Sequence, residues 1–213
     1  FRRTSPRPRN HVITLETEHK CVLESVAQLG REGMRVDFLP VRSDGLVDID
    51  RLAAAISEDT ALVTIMAANN EIGVLQPIAE ISALCREHGA WFHTDAAQAF
   101  GKIPLDVREQ QIDLLSISGH KIYGPKGVGA LYIRRRPRVR LDPLFHGGGQ
   151  ERGMRSGTLP APLCIGLGVA AEIAAADMAK QSERLQAMRD RFLARVREAL
   201  PSVRVNGSME HRL

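Results

Sequence analysis

Residues 61–68 read ALVTIMAA, and only Thr64 in that run carries a polar side chain. A short continuous apolar run bounded by loop residues reads as a strand covered on both faces. Such strands belong to parallel sheets, and parallel neighbours need a crossover element between them. AWFHTDA (90–96) and DLLSIS (113–118) read the same way. HVITL (11–15) is a shorter strand, MRVDFLPV (34–41) alternates like one, and VGALYI (128–133) follows a Gly-Pro-Lys-Gly turn.

Helical spacing fills the gaps. Val22, Leu23, Val26 and Leu29 recur on one helix face, and Gly33 ends that helix. Asp48 caps a short helix through Ile56. Pro77 opens another, with Ile78, Ile81, Leu84 and Cys85 on one face and Gly89 past its end. An Ala-rich helical region runs from about Pro160 to Leu200. Strand and helix alternate for most of the length, so the expected fold class is α/β with a largely parallel sheet. At 213 residues the chain makes one large domain or one and a half average ones. VRVNG (203–207) reads as a strand and turn whose sheet partner is missing from the sequence.

Composition excludes little and favours an ordinary globular protein: 44% hydrophobic, 25% charged, net charge +4. No run reads as a membrane span. The Arg-rich start, FRRTSPRPRN, reads as a surface loop. Cys21, Cys85 and Cys164 form no CxxC pair and no zinc spacing, so no metal site is expected. Cys21 and Cys85 read as small buried thiols in a reducing compartment. Arg134, Arg135, Arg136, Arg138 and Arg140 read as a solvated strand edge. No aromatic residues are interleaved for stacking on nucleic acid.

In open α/β sheets, ligands bind at the carboxyl ends of the strands. His19 follows the first strand, Asn70 the third, Asp95 and Gln98 the fourth, and Ser118, His120 and Lys121 the fifth. These types suit pyridoxal 5'-phosphate. A lysine amine forms a Schiff base with an aldehyde once deprotonated, and an aspartate holds a pyridine nitrogen protonated. Gln98 or Asn70 suits a phenolic oxygen, Ser118 and His120 a phosphate, and His19 stacking and proton transfer. His11, His88, His93, His146 and His211 show no such pattern, and His93 has no nameable partner.

TEHKCVL, NNEIG, HTDAAQ, SGHKIYGPKG and ERGMRSGTLP stand in this order along the chain. They resemble the cysteine desulfurases of iron–sulfur cluster assembly, in the mitochondrial and bacterial housekeeping form. Those are transferases of the class V, fold-type I pyridoxal phosphate family. The resemblance implies the large cofactor-binding domain over 1–172, incomplete at its N-terminus. The linking helix and the beginning of a small domain would then occupy 173–213. It gives Lys121 the cofactor, Asp95 the pyridinium nitrogen, Gln98 and Asn70 the phenolic oxygen, and Asn70 the substrate carboxylate as well. Ser118 and His120 would take the phosphate. Thr158 would reach the phosphate of the other subunit, which implies a homodimer. His19 would be the acid–base group.

The implied reaction takes sulfur from L-cysteine, leaving L-alanine and an enzyme persulfide. Expected partners are an iron–sulfur scaffold protein, frataxin at the basic surface and other sulfur acceptors. Neither nucleic acid nor a membrane is expected. Mitochondrial matrix and bacterial cytoplasm both fit; secretion does not. The family's sulfur-accepting cysteine loop and C-terminal arginine have no match here, so the chain reads as a middle portion, inactive alone. Alternatives are a selenocysteine lyase or an aminotransferase of the same class, or a non-catalytic remnant that binds the cofactor or dimerises.

Overall fold

The computed structural model describes residues 9–213. Residues 1–8 of the Arg-rich start lie outside the described residues. Arg9 is not a free loop residue: its guanidinium donates to the carbonyls of Thr60, His88 and Gly89.

Six strands form one sheet: β1 (His11–Leu15), β2 (Arg35–Leu39), β3 (Thr60–Thr64), β4 (Trp91–Asp95), β5 (Leu114–Ser118) and β6 (Gly129–Ile133). Their order is β2-β1-β3-β4-β5-β6. The first five run parallel, and β6 pairs antiparallel with β5. This is the α/β, mixed and mostly parallel sheet that the apolar runs predict. All five residues of β1 are buried, as a central strand covered on both faces requires.

The connections are α1 (Lys20–Arg31), α2 (Ile49–Ala55) and α3 (Ile78–Glu87). The path turns one way from β1 to β2 and the other way from β3 to β4. Right-handed crossovers in opposite directions place α1 and α3 on opposite faces of the sheet. Ile78, Ile81 and Cys85 of α3 join Ile13, Val63 and Phe92 in the core. Asp48 caps α2 by accepting from Arg51 N at 3.0 Å.

Glycines set how closely the lysine turn and its neighbours approach. A Cβ at Gly129 would sit 2.5 Å from the Ile117 carbonyl oxygen, and one at Gly124 would sit 2.9 Å from that of Gly119. Behind this turn lies α4 (Ala161–Ala199), a single helix of 39 residues. It approaches through small residues one turn apart. A Cβ on Gly166 would meet Pro125 at 2.6 Å, one on Gly124 would meet Ala170 at 3.1 Å, and one on Gly101 would meet Ala174 at 2.8 Å. The boundary expected at 172/173 falls inside this helix, so the backbone shows no break there.

Several expectations change. VRVNG forms no strand; Gly207 makes the turn at φ 82°. The following residues pair with the 72–75 loop, Leu75 N donating to His211 O and Leu213 N to Gly73 O, each at 2.9 Å. Arg212 fixes the arrangement by donating to Ile72 O. The tail therefore does find a partner, in a loop and not in a sheet. Arg134 is not solvated: it is buried, 3.3 Å from Asp113 Oδ1, and donates to Ile112 O. Its neighbours Arg135, Arg136, Arg138 and Arg140 are exposed, as an edge predicts.

α4 also contains a stretch long and apolar enough, by length and composition, to cross a membrane, with a mean hydropathy of 1.5. The sequence reading expected none. Interspersed alanines and glycines raise the mean without forming one conspicuous apolar block.

Gly129→Ala is expected to destabilise the fold by about 1–3 kcal/mol, through overpacking against Ile117. A lower denaturant midpoint with an unchanged slope would show it; an unchanged midpoint would mean the β5–β6 contact relaxes freely.

Candidate active site

Parallel pairing brings the carboxyl ends of β1, β3, β4 and β5 into one row, and a cavity of about 420 Å³ opens there. The chain order reverses direction between β1 and β3, which is where such sheets form a crevice. His19, Asn70, Asp95, Gln98, Ser118, His120 and Lys121 all line the cavity. Of the eight expected site residues, only Thr158 is elsewhere, on an exposed loop after the Gly-rich stretch. The remaining histidines, which show no such pattern in the sequence, do not line it.

Each residue arrives for a local reason. His19 is the N-cap of α1, and its Nδ1 accepts from Cys21 N at 3.2 Å. That bond occupies the Nδ1 lone pair, so the neutral ring carries its proton on Nε2. Asn70 follows Asn69, whose Oδ1 accepts from Glu71 N and Ile72 N and so builds the turn. Asp95 ends β4; its Oδ1 accepts from Ala97 N at 2.9 Å, and its Oδ2 has no partner among the described residues. Ser118 ends β5, and its hydroxyl lies 3.0 Å from His120 Nδ1. Lys121 rides in a short 3-10 turn, Gly119–Ile122, closed by Tyr123 in the left-handed region at φ 62°. Its amine has no hydrogen-bond partner among the described residues.

The structure adds residues that pattern reading missed. Lys102 donates to Gln98 Oε1 at 2.8 Å, which leaves the donor end of the Gln98 amide for the cavity. Burial, then the charge of Lys121, holds the Lys102 ammonium below its usual pKa. The only available signal was the i, i+4 spacing of Gln98 and Lys102. His93 does have partners: Nδ1 lies 2.7 Å from Thr64 Oγ1, and Nε2 lies 3.2 Å from Ser116 Oγ. These come from the neighbouring strands β3 and β5, so no local pattern could reveal them. Burial pushes His93 down to about pKa 4, and the ring is neutral at neutral pH.

Cys21 is not buried: it is exposed, lines the cavity and lies 3.0 Å from His19 Nδ1 through its sulfur. Partial burial, then Asp95, raises its pKa, which opposes thiolate formation. Cys85 is buried, as expected, and its thiol is pushed up to about 12. Glu18, next to His19, is a buried carboxyl raised to about 8, first by desolvation.

A larger concavity of about 1670 Å³ lies by β6 and shares no residue with this site. Arg86, Arg108, Arg135, Arg136, Arg138 and Arg140 line it, with Asp142 and Glu151 as the acids present.

Over residues 1–213 the chain matches the family described as Aminotransferase class-V. The chain belongs to that family. Among curated relatives, Cysteine desulfurase IscS of Rickettsia massiliae is 54% identical over 204 residues, covering 96% of this chain and 50% of that protein. A probable mitochondrial cysteine desulfurase of Dictyostelium discoideum is 57% identical, with 96% of this chain and 45% of that one covered. The chain thus spans about half the length of the curated relatives it matches. A solved NifS-like protein superposes with a TM-score of 0.91 at 38% identity, over 98% of this chain and 56% of that one. DndA from Streptomyces lividans does so at 0.90 and 45%, over 96% and 57%. Class-V membership agrees with the mostly parallel sheet and with the fold-type I resemblance.

Native alkylation is expected to modify Cys21 and Cys164, the exposed thiols, and to reach Cys85 only after unfolding. Labelling of Cys21 should rise with pH. Peptide mass mapping reads both; early modification of Cys85 would contradict the packing of α3.

Proposed function

We propose that the protein binds pyridoxal 5'-phosphate and removes sulfur from L-cysteine, giving L-alanine and a persulfide for iron–sulfur cluster assembly. The observation that carries this reading is the convergence of Lys121, Asp95, Gln98 and His19 on one cavity. The donor set fits the cofactor. An amine without a hydrogen-bond partner suits an aldehyde, and a carboxylate with one open oxygen suits a pyridinium. The cavity volume lies within the usual range for small-molecule sites.

Lys121 would hold the cofactor covalently, and Asp95 would pair with its ring nitrogen. Gln98 would donate its amide N–H to the phenolic oxygen, oriented by Lys102. Asn70 would contact the same oxygen and the substrate carboxylate. Ser118 and His120, already paired, would take the phosphate. When bound, pyridoxal phosphate supplies an electron sink for charge at the substrate α-carbon. His19 would stack on the ring and move protons at Nε2, because Nδ1 is engaged by Cys21 N. Thr158, exposed on its loop, would serve the second subunit of a homodimer. The domain division at 172/173 would place the C-terminal part of α4 in the smaller domain.

None of the three cysteines suits the sulfur-accepting role. Cys85 is buried, and Cys21 disfavours its thiolate. Cys164 sits in α4, outside the cavity. The persulfide would form on a cysteine thiol other than these three and pass its outer sulfur to a scaffold protein and other acceptors, with frataxin at the arginine-lined surface. Mitochondrial matrix and bacterial cytoplasm both suit this role.

Borohydride reduction of the protein with pyridoxal phosphate is expected to label Lys121. Label on another lysine would overturn the assignment. Lys121→Ala should abolish it, whereas His19→Gln should keep the cofactor absorbance and slow exchange of the L-cysteine α-proton with solvent by about 10²–10⁴-fold. Cofactor should also protect Cys21 from alkylation, since the thiol lines the same cavity.

A further inference from the structure

Glu18 has no part in the roles assigned above, yet it is the most heavily buried acid behind the cavity. It belongs to the turn between β1 and α1, and 5% of its surface is exposed. Its Oε1 accepts from Met66 N at 2.8 Å, and its Oε2 is buried with no partner. Beside it, Thr17 O accepts from Asn69 Nδ2 at 3.0 Å. These two side-chain bonds tie the turn that ends in His19 to the chain segment that ends in Asn70. Met66, His19 and Asn70 all line the cavity; Glu18 stands behind them.

An ionised carboxylate in this place is strongly disfavoured. One of its oxygens has no hydrogen bond, and burial removes its water. The charge acting on it is Asp95 at the end of β4, which is also negative. From α1 it faces the Cys21 thiol, and His19 follows it on its own turn. Met66 and Asn69, on the β3 side, do not titrate. A protonated carboxyl keeps the Met66 bond through its carbonyl oxygen and places no second charge near Asp95, the only carboxylic acid lining the cavity among the described residues.

We infer that Glu18 is a positioning residue of the proposed cofactor site: a neutral carboxylic acid that pins the His19 turn to Met66 and leaves Asp95 the sole negative charge at the cavity floor. The inference rests on the cofactor reading, but the protonation of Glu18 can be measured without it. The folded group titrates near 8 against about 4.5 when free. The stabilisation from its proton is therefore fully present below about 4.5 and is lost as pH rises through about 8.

The test compares wild-type holoprotein with Glu18→Gln, which keeps a neutral carbonyl acceptor, and Glu18→Ala, which removes it. Infrared difference spectra at neutral pH should show a protonated-carboxyl band in wild type that Glu18→Gln lacks. That band should vanish as pH passes about 8. The fall in thermal stability between about pH 4.5 and about pH 8 should shrink in Glu18→Gln. Glu18→Ala should bind pyridoxal phosphate about tenfold more weakly, the loss of one hydrogen bond, and Glu18→Gln should restore most of that. Cofactor absorbance should change as pH passes about 8 in wild type and not in the variants.

No band difference at neutral pH would overturn the inference. So would equal cofactor binding by the Gln and Ala variants together with a pH dependence of cofactor absorbance unchanged from wild type. If the band is present but wild type shows no pyridoxal phosphate absorbance, the cofactor reading falls and the positioning role falls with it, while the neutral carboxyl stands. If wild type binds the cofactor and no band appears, the inference about Glu18 fails alone.

Discussion

The parallel pairing of β1 with β3 is the contact on which the site depends. Val12, Ile13 and Thr14 lie in register with Leu62, Val63 and Thr64, so the two strands finish side by side. The His19 turn and the Asn69–Asn70 turn then leave the sheet next to each other. Continuing across β4 and β5, the same parallel direction delivers Asp95 and Lys121 to the same edge. A shift in this pairing would separate His19 from Asn70 even with every local element intact.

Electrostatic economy at the cavity floor follows from burial. Asp95 is the acid that faces inward, and burial shifts two of its titratable neighbours toward their neutral forms. Burial pushes the His93 imidazole down to about 4 and raises the Glu18 carboxyl to about 8. Polar links across the strands, Thr64 to His93 and His93 to Ser116, satisfy groups that would otherwise be orphaned beneath the site. Elsewhere, the buried Asp113–Arg134 pair shows the same competition. Burial raises the Asp113 carboxyl despite the guanidinium beside it and the hydrogen bond from Phe92 N.

The backbone of the lysine turn is shaped by what it must pass. Gly129 and Gly124 stand where carbonyl oxygens leave no room for a side chain, and Gly166 and Ala170 let α4 approach behind them. Sequence reading marked this stretch as a Gly-rich turn. It did not show that a helix forty residues downstream packs on it, because that small-residue spacing acquires meaning only when the opposing surface is known.

The sequence by itself determined the strands, through continuous apolar runs, and most helix ends, through Asp48, Pro77, Gly33 and Gly89. It also determined which polar residues stand at strand ends, because that placement is local. Tertiary structure decided the rest. His93 gained partners from neighbouring strands, Arg134 folded inward onto Asp113, Cys21 turned outward beside His19, and residues 211–213 settled against the 72–75 loop. Each of these depends on groups far apart in the chain. Periodicity reports which face of an element is apolar, but not what the opposite surface presents, and only folding brings the two together.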